Sequence, residues 1–283
     1  MDLAIGFTIL WRDDRIRKVP GDKGGGMIRC VHCGTDNEEI FTYCLNCGKP
    51  LEQSMKGFKP RHSSTSRLGS ATLITIRTDG GTGPEIPLAD GINHIGRDGP
   101  EVVITDDPRV AATHATLDVG RDVVFLEDLS TLHGTFVRVT GQRTLADGDQ
   151  VRIGHAVFSV QLNVPRPRAS NDGAAWLGST GVPGDWFGRL IRIGPNESIL
   201  EAHLLRSPET TLGRTSGDIL LPEDPFVSSR HAAFAATNAG CILKDLGSTN
   251  GCFLRIKGRV AIETGDYILL GHHLFQFKRR TAA

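Results

Sequence analysis

Val227-Ser228-Ser229-Arg230-His231-Ala232 and, further on, Asp245-Leu246-Gly247-Ser248-Thr249-Asn250-Gly251 decide how this 283-residue chain is read. Both stretches are dense in the small polar residues of turns, yet both have counterparts 117 residues upstream. At that offset, with no gap, Gly213-Arg214 falls on Gly96-Arg97, Asp224-Pro225 on Asp107-Pro108, and His231-Ala232 on His114-Ala115. Asp245-Leu246 falls on Asp128-Leu129, Gly251 on Gly134, Phe253 on Phe136, Gly265-Asp266 on Gly148-Asp149, and Gly271-His272 on Gly154-His155. About 19 of the 63 positions from Gly96 to Phe158 are identical, which makes this a duplication rather than a chance likeness.

Each copy reads as short strands. Leu73-Ile74-Thr75-Ile76, Val123-Val124-Phe125-Leu126, Val151-Arg152-Ile153 and Phe158-Ser159-Val160 are β-branched or aromatic runs bounded by Gly, Asp and Pro turns, and helical periodicity is absent. Such spacing over about 90 residues per copy predicts a β-sandwich with function on the loops at one end. Val164 to Gly184, rich in Pro, Gly, Ser and Asn, separates the copies as a linker should. The expected organisation is a tail at residues 1–26, a small cysteine module at 27–51, a basic linker at 52–70, a first sandwich at 71–164, a linker at 165–187 and a second sandwich at 188–279. Met27 follows Gly24-Gly25-Gly26 where a compact motif begins, so the first 26 residues read as a tail or an upstream mis-assigned start.

The second copy, from Leu212-Gly213-Arg214 through the two stretches above to Gly265-Asp266, resembles the forkhead-associated (FHA) domain. Four separated motifs in the right order carry the resemblance. It implies a mostly β fold, two FHA-like β-sandwiches in tandem, and loops that bind phosphothreonine peptides. By resemblance Arg214 and Ser228 bind the phosphate, Ser229 adds a contact, and Thr249 and Asn250 hydrogen-bond the peptide backbone. Gly213, His231 and Gly251 shape the loops without touching ligand. The chemistry agrees: a phosphothreonine carries close to two negative charges and three acceptor oxygens, which call for guanidinium, hydroxyl and amide donors.

The first copy departs from that pattern. Arg97 and His114 are retained, but Ala111 and Ala112 stand where the second copy has Ser228 and Ser229, and Leu132-His133 where it has Thr249-Asn250. Each lost charge-assisted bond is worth about 1.5 to 3 kcal/mol. Residues 71–164 carry 7 Arg and no Lys against 13 acids, a net of −6, whereas residues 165–283 carry 14 basic against 11 acidic groups, a net of +3. The first copy is therefore expected to be a degenerate domain serving as scaffold.

Four of the six cysteines fall in two pairs, Cys30-x2-Cys33 and Cys44-x2-Cys47, while Cys241 and Cys252 lie far away. Two such pairs on facing turns make a four-thiolate cage for one structural Zn2+ ion, and Gly34 and Gly48 fit the tight turns. Met27 to Leu51 resembles the short zinc ribbons of bacterial proteins, and so small a unit is expected to fold only with its metal.

Composition excludes other classes. With 32 basic and 32 acidic residues the net charge is zero, which argues against a whole-chain nucleic-acid or anionic-membrane binder. No run approaches 18 apolar residues, and Ala4 to Trp11 lacks a basic flank and cleavage site, so neither a membrane span nor a signal peptide is expected and the location reads as cytoplasmic. No nucleophile-base pair, P-loop or kinase signature points to an enzyme. The favoured reading is a non-catalytic adaptor for a Thr-phosphorylated protein, a Ser/Thr kinase or its substrate. The alternative is a zinc-ribbon protein that binds nucleic acid or protein through residues 27–70, with both sandwiches as scaffolds. Ser63-Ser64-Thr65-Ser66 adds a self-regulatory variant, in which phosphorylated Thr65 occupies the Arg214 site of its own chain at high effective concentration.

Overall fold

In the computed structural model the described residues are 27–31, 34–38, 51, 69–98, 101–105, 107–130, 133–163, 185–238 and 240–280. Among them the regular structure is β-strand, apart from one 3-10 turn at Pro195–Glu197. The first repeat supplies β3 (Ala71–Ile76), β4 (Thr82–Leu88), β5 (Gly91–Gly96), β6 (Val102–Val103), β7 (Ala115–Val119), β8 (Val124–Asp128), β9 (Thr135–Arg138), β10 (Gln142–Leu145), β11 (Gln150–Ile153) and β12 (Ala156–Gln161). The second supplies β13 (Trp186–Ile193), β14 (Ile199–Arg206), β15 (Glu209–Gly213), β16 (Ile219–Leu220), β17 (Ala232–Thr237), β18 (Gly240–Asp245), β19 (Cys252–Arg255), β20 (Arg259–Ile262), β21 (Tyr267–Leu270) and β22 (His273–Arg279). Burial alternates along β7 and β12, the period-two signature of strands with one face on a core.

The strands do not close within their own repeat. One five-stranded sheet runs β20-β8-β7-β5-β6 and another β10-β18-β17-β15-β16, so each takes its first strand from the other copy. The third sheet is ten strands wide and runs β14-β13-β12-β11-β19-β9-β21-β22-β3-β4. The sequence leads one to expect sandwiches coextensive with residues 71–164 and 188–279. Instead β20, β21 and β22 complete the first sandwich and β10, β11 and β12 complete the second. The two cores record the exchange: Ile262, Ile268, Leu270, Phe275 and Phe277 pack with Leu73, Ile95 and Leu117, while Leu145, Val151, Ile153, Phe158 and Val160 pack with Leu190, Leu212 and Phe234.

The physical reason lies in the repeat itself. Buried positions coincide at the offset of 117, so either set of closing strands satisfies either hydrophobic pattern. Residues 139–141 and 256–258 are the short connections that send the strands across. Between them β9 and β19 pair antiparallel, with Val137 opposite Leu254, which are equivalent positions of the two copies. Val139 N–H donates to Cys252 O (2.8 Å) and Ile256 N–H to Thr135 O (3.0 Å), again an equivalent pair. A local two-fold axis therefore passes through the centre of the wide sheet. Side-chain contacts tie the exchanged strands down: Arg259 reaches Asp118 at 2.7 Å and lies over the Phe125 ring, and Arg255 donates to Gln150 Oε1 and the Ser130 carbonyl, both at 3.1 Å, where the equivalent Arg138 lies over the Tyr267 ring.

At the N-terminal end β1 (Met27–Arg29) and β2 (Asp36–Glu38) form a hairpin. Gly34, with φ of 74°, donates to Cys30 O at 2.8 Å, and Cys30 is buried beside Leu51. Cys33, Cys44 and Cys47 lie outside the described residues, as do the basic linker and Thr65. Cys241 and Cys252 are core residues of the second sandwich. Burial pushes the Cys241 thiol up to about 12 and raises Cys252 as well, which leaves both inert as nucleophiles. Among the described residues no helix is long and apolar enough to cross a membrane.

Candidate functional site

The loops leaving β15, entering β17 and joining β18 to β19 meet at one end of the second sandwich. Gly213 ends β15 because no side chain fits there: a Cβ would strike the Ser229 and Ser216 carbonyl oxygens. Beyond it the backbone is clamped, with Arg214 N–H on Ser228 O (2.9 Å) and Ser216 N–H on Ser229 O (2.9 Å). This holds Arg214 beside the two serines. Its guanidinium has no ion-pair or hydrogen-bond partner among the described residues.

His231 is wholly buried and fastens two of the loops together. Its Nδ1 accepts from Ser228 N–H at 3.0 Å, and its Nε2 lies 3.1 Å from Gly251 O. A donor faces one nitrogen and a carbonyl faces the other, so the ring is neutral with its proton on Nε2. Burial holds its pKa below the ordinary histidine value, outweighing the bond to Gly251. Thr249 N–H donates to Ser228 Oγ at 3.1 Å, which fills an acceptor position and leaves the hydroxyl proton to point elsewhere. Asn250 Nδ2 donates to Phe226 O at 2.8 Å, so the asparagine braces the loop as well as offering its Oδ1 outward. Asp245 organises the approach, accepting from Ser248 N–H (2.7 Å) and Oγ (3.0 Å), and Ser248 Oγ in turn accepts from Gly251 N–H (2.9 Å). Arg214, Ser228, Ser229, Thr249 and Asn250 thus come together, with Gly213, His231 and Gly251 beneath them.

Support also comes from the other copy. Asp224 Oδ2 accepts from His155 N–H at 2.7 Å and Asp224 Oδ1 from Phe226 N–H at 3.0 Å, so the β11–β12 turn of the first repeat props the loop that carries Ser228. Burial would raise the Asp224 pKa, but the His155 bonds and the Phe226 amide hold it below the usual value. Reading the sequence missed this prop, although its signal was present: Asp224-Pro225 and Gly154-His155 both belong to the repeated identities.

The first copy keeps the frame and lacks the donors. Ala111 N–H donates to His114 Nδ1 (3.0 Å) and His114 Nε2 faces Gly134 O (3.1 Å), matching the other clamp. Arg97 is exposed beside Ala112 and Asp98, where the second copy has Thr215. Leu132 lies outside the described residues.

Comparison with known proteins gives concordant findings. The family model of the FHA domain matches residues 93–154 and 210–271, and a domain of unknown function (DUF7577) matches residues 26–52. The FHA domain-containing protein FhaA of Mycobacterium tuberculosis is 34% identical over 98 residues, covering 34% of this chain and 19% of that protein. The oxoglutarate dehydrogenase inhibitor of Corynebacterium glutamicum is 30% identical over 118 residues, covering 41% of this chain and 81% of that protein. Among solved structures, Mycobacterium tuberculosis EmbR in complex with a low affinity phosphopeptide is 29% identical, covering 29% of this chain and 23% of that one, with a TM-score of 0.18.

Proposed function

Since the chain belongs to the FHA-domain family and carries two copies of the domain, we propose that it is a non-catalytic phosphothreonine adaptor whose second copy is the reader. The observation that carries this reading is the His231 clamp. It locks the Ser228 and Gly251 loops together from beneath, so that Ser228, its Oγ held by Thr249 N–H, is fixed before a ligand arrives. Preorganised donors avoid the ordering cost that would otherwise erode affinity. A guanidinium with no carboxylate partner and two hydroxyls suit a phosphate dianion better than a carboxylate or a neutral side chain.

The partner in this reading is a Thr-phosphorylated protein, a Ser/Thr kinase or its substrate. The first copy, with Ala111 and Ala112 where serines are needed, acts as a scaffold. A structural zinc ion held by Cys30, Cys33, Cys44 and Cys47 belongs to the same proposal. Its support is the pattern of four thiolates and the buried Cys30 at a turn closed by Gly34.

The test is calorimetric titration of the full chain with phosphothreonine, phosphoserine and unphosphorylated versions of a peptide library. Binding that requires phosphothreonine and disappears in Arg214→Ala is expected. Equal binding by Arg214→Ala, or none by the folded wild type, would overturn the reading.

A further inference from the structure

Two cavities flank the local two-fold axis at equivalent places, and their linings have diverged. The one beside Asn250 has a volume of about 270 Å³ and is walled by Phe226, Phe253, Leu269 and Leu274, with Arg77, Arg138 and Arg152 also on its lining. Its mate, about 470 Å³, is walled at the same positions by Arg109, Phe136, Arg152 and Val157, with His133 in place of Asn250 and Arg192 at its edge. Phe226 takes the place of Arg109 in the first cavity, so the framework does not require a guanidinium at Arg109, while Arg152 lies between the two cavities and lines both.

Nor are these arginines neutralised by contact. Arg152 donates to Gly154 O (3.2 Å) and Gly271 O (2.6 Å), and Arg109 donates to the Nε2 of His272. Neither makes an ion pair among the described residues. The nearby acids are committed elsewhere: Asp107 accepts from the N–H groups of Arg109 (2.9 Å) and His272 (2.7 Å), and Asp224 from those of His155 and Phe226. Arg192 has an exposed partner in Glu201 at 3.4 Å, and Glu197 is the one carboxylate in the cavity wall. Burial, then the neighbouring Arg109, brings the Arg152 pKa down to about 10. Burial and then Arg109 lower the His133 pKa below the ordinary histidine value. Arg109 and Arg152 are half-buried side by side and repel each other, the nearby Asp107 offsets this in part, and the planar guanidinium matches an oxyanion edge to edge.

We propose that the larger cavity is an oxyanion site that takes a phosphate monoester dianion or inorganic phosphate between Arg109, Arg152 and Arg192. His133 and Gln150, both on its wall, add neutral hydrogen bonds. None of the five reader residues lines it, so it is a second site and does not depend on the reader.

The experiment uses the full chain, with inorganic phosphate, O-phosphothreonine and a phosphothreonine peptide as probes, followed by calorimetry and phosphorus NMR. Arg214→Ala is expected to retain one bound oxyanion per chain. Arg109→Phe, which copies the Phe226 of the twin cavity, should weaken that binding at least about tenfold while peptide binding at Arg214 persists. Arg192→Gln, a change at a half-buried side chain on the cavity edge, should weaken it in the same direction. Competition by O-phosphothreonine identifies a phosphorylated side chain as the ligand, and binding of inorganic phosphate without such competition identifies the free ion. Unchanged phosphate affinity and stoichiometry in the folded Arg109→Phe chain would overturn the proposal. A wild type that binds a single phosphate, lost in that variant and kept in Arg214→Ala, would sink the reader reading and leave this site standing.

Discussion

Exchanging the side chains at positions 160 and 277 should undo the strand exchange. These positions are equivalent in the two copies, and both are buried: Val160 in the second sandwich at 0% exposure and Phe277 in the first at 1%. If each copy closed on itself, a phenylalanine would be forced into the space that holds a valine, and a valine would leave a void where a ring now packs. Overpacking costs about 1–3 kcal/mol, and truncating a buried Phe to Val costs about 2–4 kcal/mol. The two sites lie in separate cores, so these terms add to about 3–7 kcal/mol in favour of the exchanged form. Ala156 and His273, also equivalent, work in the same direction, since an imidazole would replace a methyl group in the second core.

Val160→Phe alone should therefore lower stability by about 1–3 kcal/mol, and Phe277→Val alone by about 2–4 kcal/mol. The double variant should lose less than the sum, because reverting to self-closed sandwiches restores both packings. Urea unfolding measures the energies. Topology is read by oxidising paired cysteines: Phe125→Cys/Ala261→Cys reports the β8–β20 pairing of the exchanged chain, in which these residues face each other. Ile242→Cys/Ala261→Cys reports self-closure, since Ile242 now faces Thr144, the equivalent of Ala261. The wild-type background should cross-link through the first pair and the Val160→Phe/Phe277→Val background through the second. Strictly additive losses with the first cross-link intact would refute the claim that packing directs the exchange. Cross-linking of the wild-type background through the second pair would refute the exchange itself.

Gly213→Ala should abolish phosphopeptide binding in calorimetry while the chain stays folded, because its Cβ meets two carbonyls of the phosphate loop and the loop must move. Acid should destabilise the protein early. His114 and His231 are both held below the ordinary histidine pKa by burial, so the unfolded chain binds more protons; their contribution is complete above pH about 6.5 and is lost as pH falls. Denaturant midpoints measured from pH 7.5 down to 5 should fall, and His231→Gln should flatten that slope; a flat wild-type profile would contradict the buried neutral clamps. Asp107 and Asp224, held below the usual carboxylate value, should extend the decline below pH about 3.8. Chelation should release one zinc per chain by metal analysis and unfold the cysteine module, leaving phosphopeptide affinity unchanged, because the reader loops make no described contact with it.

The loops proposed to hold the ligand could be picked out in the sequence because their chemistry is local: Gly213, Arg214, Ser228, His231 and Asn250 mean the same thing whichever strands lie beneath them. The exchange could not be read from the repeated residues, and the repeat is the reason. Asp224 seeks a Gly-His turn, and both Gly154-His155 and Gly271-His272 supply one; identities at a fixed offset say which positions are equivalent and nothing about which copy fills them. Unmatched residues break the tie, among them the pairs 156/273 and 160/277 and the contact of Arg259 with Asp118. Every reader residue also lies upstream of the crossover at 256–258, so the exchange leaves the ligand set on one copy while transferring its foundation to the other. The functional reading therefore does not depend on which topology is assumed, yet the second copy is not an independent module. A lesion in the β11–β12 turn of the first repeat reaches the Ser228 loop through Asp224, so the scaffold copy has a direct mechanical role in the reader.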